Sequence, residues 1–380
     1  MSEVIRHGFD WLAVSWQGRV SAAVRDRLRQ AKAQAVDTGE PVPVEIGGAA
    51  GVVHPTGTAS GAFRLDTGPD GEVWLFRDSD VVVDDPTSGD GWNIRVEGRA
   101  AMLAVLGFDA VVQRWRDQLR RWGAFVTNDA VGRVDYAVDL KASPDFAPDP
   151  HNVTAWGRMS AAVRDDPDPE ADDRDYRVSG RRVHYVRYGS ISNYQAVIYD
   201  KTREVRLNKR GAEHWPVIWG NAVAATDTVW RIECRAGRDF LRAFGVRTLA
   251  DLRDLASDLF GYIADKVRLV EARDGKNASR WATHPVWRAA RETMAEIFAG
   301  DEPTGVVPSR VRVVRRERAA GVIGSMIIGL AATYQALTGE HSKSRARQAI
   351  TELIESFQNE NGPAYGRKVA KANRRYIFVT

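Results

Sequence analysis

Cysteine is almost absent from these 380 residues: Cys234 stands alone. No intramolecular disulfide and no cysteine-built zinc cage can form, and the chain suits a reducing compartment. Histidine is sparse as well, and His7, His54, His151, His184, His214, His284 and His341 nowhere make a His-x-His pair, which excludes a clamp of that kind on a metal. Charge of one sign is also lacking. Lys+Arg 54 against Asp+Glu 50 gives a formal charge of +4, too small a surplus to identify a polyanion binder. The longest uncharged stretch, Ala319 to Leu337, is diluted by Gly321, Gly324, Gly329, Ser325, Thr333 and Gln335, so it reads as a buried helix and not as a membrane span. Met1 to Trp16 has no basic start, apolar run and small-residue cleavage site, and the expected location is the cytoplasm. No repeat or heptad array is visible.

What remains is an ordinary globular composition, 44% hydrophobic and 27% charged with twelve tryptophans, long enough for two domains. His7–Trp16 reads as a first strand, Val20–Ala35 as a helix, and Glu45–Val96 as short strands, such as Val73–Phe76 and Trp92–Val96, separated by turn residues. Ala100–Trp122 has helical spacing. Arg133–Leu140 alternates strictly, with Val134, Tyr136, Val138 and Leu140 on one face and Arg133, Asp135 and Asp139 on the other.

Ser143–Pro150 and the acidic Asp165–Asp175 predict a mobile surface loop near residues 143–180. Val183–Val205 reads as two strands around the turn Gly189–Asn193, and Thr228–Arg235 as a strand with Arg231, Glu233 and Arg235 on one side. Beyond Phe240 the spacing is helical, with Leu249–Arg273 one helix and Pro285, Pro303 and Pro308 as breaks. The fold class is therefore α+β: a central antiparallel sheet over residues 1–260, followed by a helical region over 261–380. From Asp301 onward, thirteen Lys/Arg face seven Asp/Glu. Recognition of duplex DNA is expected there.

Three strands thus present polar groups: Asp135 with Asp139, Tyr199 with Lys201, and Glu233 between Arg231 and Arg235. Carboxylates from neighbouring strands suit a hard cation, Mg²⁺ or Mn²⁺. Beside such an ion a tyrosine hydroxyl could attack a phosphodiester in line and keep the bond energy as a phosphotyrosyl ester. Lys201 would favour the phenolate.

At these residues the chain resembles a known family. Arg133-Val-Asp135-Tyr-Ala-Val-Asp139, then Tyr188-Gly189-Ser190 with Ile198-Tyr199-Asp200-Lys201 and Glu204, then Trp230-Arg231-Ile232-Glu233, are similar in order and spacing to the replication initiation factors of rolling-circle plasmids and filamentous phages. Gly8-Phe9-Asp10-Trp11-Leu12 is similar to that family's first strand. The resemblance covers roughly residues 7 to 260. It implies a relaxase-like nicking fold, a divalent metal, a 5′-phosphotyrosyl intermediate, Tyr199 as nucleophile assisted by Lys201, and Asp135 and Glu233 as metal ligands with Asp139 as a third.

Arg133, Arg203, Arg231 and Arg235 are then expected on DNA. A host helicase and a second copy of the chain are further candidate partners, and no membrane is involved. The same transesterification would serve a conjugative relaxase of an integrative element. A different class, a non-catalytic DNA-binding replication or regulatory protein, predicts no covalent adduct.

Overall fold

Period-two alternation produces a succession of strands through the first 237 residues, and the backbone hydrogen bonds join eleven of them into one antiparallel sheet. The computed structural model describes residues 2–57, 63–155, 174–207, 212, 214–274, 280–298, 308–338, 342–360 and 362–375. In chain order the first strands are β1 (Glu3–Arg19), β2 (Val42–Ile46), β3 (Ala49–Val53), β4 (Phe63–Asp66), β5 (Glu72–Phe76), β6 (Trp92–Gly98) and β7 (Phe125–Lys141). They are followed by β8 (Val153–Ala155), β9 (Arg174–Ser179), β10 (Arg182–Gly189), β11 (Tyr194–Asp200), β12 (Val229–Gly237) and β13 (Val267–Leu269). The sheet order is β2-β3-β4-β5-β6-β1-β7-β12-β11-β10-β9, while β8 and β13 pair separately. The expected α+β architecture with a large antiparallel sheet and a helical C-terminal region is what the molecule has.

The helices are α1 (Ala22–Thr38), α2 (Ala100–Leu106), α3 (Phe108–Arg121), α4 (Lys201–Leu207), α5 (Trp215–Trp219), α6 (Arg238–Phe244), α7 (Leu249–Lys266), α8 (Pro285–Met294), α9 (Pro308–Thr338), α10 (Lys343–Glu360) and α11 (Gly362–Arg375). The helix expected over residues 100–122 is two, because Gly107 adopts φ 77° between them. The one expected over 249–273 ends at Lys266: the β-branched and aliphatic run that follows pairs as β13 with β8. The second hairpin strand stops at Asp200, whose carboxylate accepts from the Arg203 amide at 2.8 Å and starts α4. Most of the acidic stretch 165–175 lies outside the described residues, although Arg174 and Asp175 begin β9.

One face of the sheet carries the core. Leu12, Val134, Tyr136, Val138, Trp230 and Ile232 pack in a single apolar cluster with Leu252, Leu259, Phe260 and Ile263 of α7 and Trp287 of α8. A capping box of Thr248 and Asp251 opens α7.

Two compact units result, Met1–Val306 and Val307–Thr380. The sequence placed the division near residue 260, but α7 and α8 bury their apolar faces in the sheet's core and belong to the first unit. A truncation meant to remove the helical unit therefore starts after Val306, since one at residue 281 would also take Trp287 and Met294 from that core. The second unit contains α9 to α11. Among the described residues no helix is long and apolar enough to cross a membrane.

Candidate active site

On the face opposite the core, antiparallel register brings the predicted polar residues together. Asp135 of β7 lies opposite Arg235 of β12, Glu233 opposite Val197 of β11, and Arg231 opposite both Tyr199 and Asp139. Residues paired in this way share a face, so the side chains of Asp135, Glu233 and Tyr199 converge although they are far apart in sequence. Asp135 is 1% exposed and Glu233 3%. The Tyr199 hydroxyl stands 3.4 Å from Glu233 Oε2, with Lys201 Nζ 3.5 Å from the same hydroxyl.

Two arginines hold the carboxylates. Arg133 donates to both oxygens of Asp135, at 3.0 and 2.6 Å, while its guanidinium lies 5.3 Å from the centre of the Trp11 ring. Arg235 donates to both oxygens of Glu233, at 2.8 and 3.1 Å, and its Nε is 4.0 Å from Asp135. Burial, with the charge of Glu233 adding to it, still pushes the Asp135 carboxyl up to about 7 against the pull of Arg133.

That shift has a stability consequence. A folded pKa above the unfolded one means that the stabilisation is complete below the ordinary carboxylate range and is lost as pH rises through about 7. In EDTA, urea unfolding of the wild type is expected to weaken between about pH 5 and pH 8, by on the order of 1 kcal/mol or more. Asp135→Asn should flatten that slope; an equal slope in both proteins would refute the assignment.

Asp139 is placed differently from the expectation of a third metal ligand. Arg231 binds both its oxygens, at 2.6 and 2.8 Å, and the Trp219 indole donates to one of them at 2.8 Å. Burial alone would raise its pKa, but the adjacent Arg231 charge holds it below the usual carboxylate range. Arg231 is itself 0% exposed. It also reaches Asp10 at 2.6 Å, and Trp215 lies 3.9 Å above its guanidinium. Arg231 therefore cannot be the DNA contact that the sequence suggested: it is the centre of a buried ion-pair network.

Arg203 is half-buried and donates to Ser179 at 3.1 Å, and Arg133 and Arg235 act first on the carboxylates. Lys201 is buried and pairs with Glu204 at 2.5 Å. Burial, then the charge of Glu233, raises the Tyr199 phenol well above its ordinary value, so the depressed phenol pKa anticipated from Lys201 is absent in this state.

The structure also sorts the hairpin's tyrosines. Tyr194 packs on Phe240 at 4.8 Å and Tyr188 packs against the core, both on the far face. Tyr185 is paired with Tyr199 across β10 and β11 and shares its face, with ring centres 6.3 Å apart. Sequence reasoning missed Asp10, Trp215 and Trp219. Asp10 is the extra residue where the β1–β7 register slips between Phe9 and Trp11, which alternation does not reveal. The only trace of the other two is the Trp-x-x-x-Trp spacing that puts both indoles on one side of α5.

Among the described residues no group of three or more His, Cys, Asp or Glu side chains is arranged to hold a metal ion. Mg²⁺ or Mn²⁺ needs only one or two carboxylates and takes its other ligands from water and phosphate, and Asp135 and Glu233 are the residues that would supply them, sharing their oxygens with Arg133 and Arg235. Burial, and then the charge of Glu233, disfavours an ionised Asp135 in spite of Arg133, and a cation would act against both effects.

No family model matches the chain, and no curated protein matches it. Among solved structures, a rolling circle replication initiator protein from Geobacillus stearothermophilus is similar at a TM-score of 0.39 and 12% identity, over 78% of this chain and 99% of that one. Similarity at that level assigns no activity, and the functional reading stands on this chain's own side chains.

Proposed function

We propose that this chain is a metal-dependent DNA nicking and joining enzyme of the rolling-circle initiator type, with Tyr199 as its nucleophile. The observation that carries the reading is the meeting, on one sheet face, of two buried carboxylates from adjacent strands and a phenol 3.4 Å from one of them. Fold alone does not specify chemistry, so the reading rests on this constellation of side chains. Its order along the chain also resembles the replication initiation factors.

In the proposed reaction the Tyr199 oxygen bonds to phosphorus, the bond from phosphorus to the 3′ oxygen breaks, and that oxygen takes a proton from water, leaving a free 3′ hydroxyl and a 5′-phosphotyrosyl end. The phenol proton leaves toward Glu233 Oε2, its nearest acidic acceptor. Lys201, paired with Glu204, would place an ammonium beside the oxygen as it attacks, although burial and then the neighbouring Arg231 charge lower its pKa. Asp135 and Glu233 would hold the divalent ion, which when bound neutralises their charge, favours the phenolate and polarises the phosphate. Arg133 and Arg235 orient the two carboxylates and limit their repulsion. Reversal by a 3′ hydroxyl rejoins the strand.

Incubation with single-stranded origin DNA and Mn²⁺ should give a covalent protein–DNA complex that EDTA prevents. Absence of any complex across candidate origins would overturn the enzyme reading and favour a non-catalytic DNA-binding role.

A further inference from the structure

The face that bears the carboxylates continues across β1, β6 and β5 to a pocket of about 770 Å³, within the size range of ligand sites. Ser15, Leu75, Arg95 and Gly132 form part of its floor. Gly132 matters sterically: a Cβ there would lie 3.0 Å from Arg95 Nη1. The walls bring in Arg77, Arg238, Arg242 and Arg247 from three separate segments, all exposed.

The charges do not cancel. Five arginines line the pocket against the carboxylates Glu97, Asp129 and Asp251. Glu97 pairs with Arg95 at 2.9 Å. Asp129 accepts from the Leu249 amide at 2.7 Å, and Asp251 from the amides of Arg247 and Thr248 at 3.0 and 2.8 Å. The acids are thus engaged by backbone and by Arg95, and the lining keeps a formal surplus of positive charge, with Arg77, Arg238, Arg242 and Arg247 exposed around it. Such crowding of like charge suits a polyanion.

The pocket also adjoins the candidate site along one strand. Gly132 precedes Asp135 by three residues on β7, roughly 10 Å at the usual strand rise. Trp11, half-buried, lies opposite Asp135 at the candidate site, and Trp92 lines the pocket itself. Arginines interleaved with indoles on an open face are the elements that hold a single strand, guanidinium on phosphate and ring on base.

We infer that this pocket binds the phosphodiester backbone of the single strand to one side of the phosphate that is cut, so that strand affinity and nicking chemistry occupy separate parts of one sheet face. The inference rests on the nicking reading for the identity of the strand, but its own evidence is the arginine cluster.

The test is fluorescence anisotropy with a labelled twelve-nucleotide oligothymidine in EDTA, at salt concentrations between about 50 and 200 mM. Compared with the wild type, the triple variant Arg77→Ala, Arg242→Ala, Arg247→Ala should bind at least about tenfold more weakly, with a salt slope shallower by about 2. A control that removes exposed arginines elsewhere, Arg27→Ala, Arg116→Ala, Arg120→Ala, should keep the wild-type slope. An unchanged slope in the pocket variant, or the same loss in the control, overturns the inference. So does displacement of the oligonucleotide by inorganic phosphate beyond the effect of chloride at equal ionic strength, which would mark a free-phosphate site. If the slopes behave as expected and no covalent complex ever forms, the pocket stands and the nicking reading falls; a covalent complex with unchanged slopes gives the reverse.

Discussion

Tyr199→Phe is expected to abolish the covalent complex with single-stranded DNA, reducing its rate of formation by on the order of 10⁴ or more, as loss of a nucleophile does elsewhere. The substitution removes one oxygen whose hydrogen bonds, 3.4 Å to Glu233 and 3.5 Å from Lys201, are both long. Folding stability should therefore shift by less than about 1 kcal/mol, and oligonucleotide affinity should persist. A loss of adduct with binding retained separates a missing nucleophile from a damaged fold. If Tyr199→Phe still forms adduct, the suspect is Tyr185, which shares the face, and not Tyr188 or Tyr194, which pack on the other side. Burial, then the charge of Glu233, keeps the phenol protonated, and a cation held by the carboxylates would oppose this, so activity without divalent metal is expected to stay negligible.

Arg231→Met is expected to be the most damaging single change to the fold, costing about 3–5 kcal/mol in urea unfolding. Arg231 is fully buried and countered by Asp139 and Asp10, so methionine removes the guanidinium that pairs with both acids, leaving them only the charge of Arg6 nearby, and removes the group under Trp215. The midpoint should fall with little change in the denaturant slope. Replacing Asp139 by leucine in the same chain should recover part of the loss, since an apolar pair of similar volume tolerates that interior better than one orphaned charge. A loss below about 1 kcal/mol for Arg231→Met would contradict the network described for it.

Much of the site was legible because strand alternation is a local property. The parity of Asp135, Tyr199 and Glu233 within their strands could be read from sequence, and the hydrogen-bonded register then places them together. The same alternation could not separate Asp139 from Asp135. What distinguishes them is α5, seventy-six residues beyond Asp139 at Trp215, whose tryptophans close over the Arg231 end of the face. Burial of that kind is a long-range outcome.

Asp10 was hidden by a one-residue slip in β1, and the break at Gly107 by an otherwise continuous apolar spacing. The boundary at residue 260 cut through α7 and put α8 in the C-terminal region for a related reason: helical periodicity shows an apolar face but not what covers it. Here that cover is the sheet, through residues such as Phe260 and Trp287.

The most direct test of the central claim is to trap the complex of the wild-type protein with single-stranded DNA and Mn²⁺, digest it with trypsin and nuclease, and locate the nucleotide by fragmentation mass spectrometry. A phosphodiester-linked nucleotide is expected on Tyr199, within the peptide from Tyr188 to Lys201, and none when EDTA replaces the metal. A nucleotide on any other tyrosine, or no modified peptide at all, would contradict that claim.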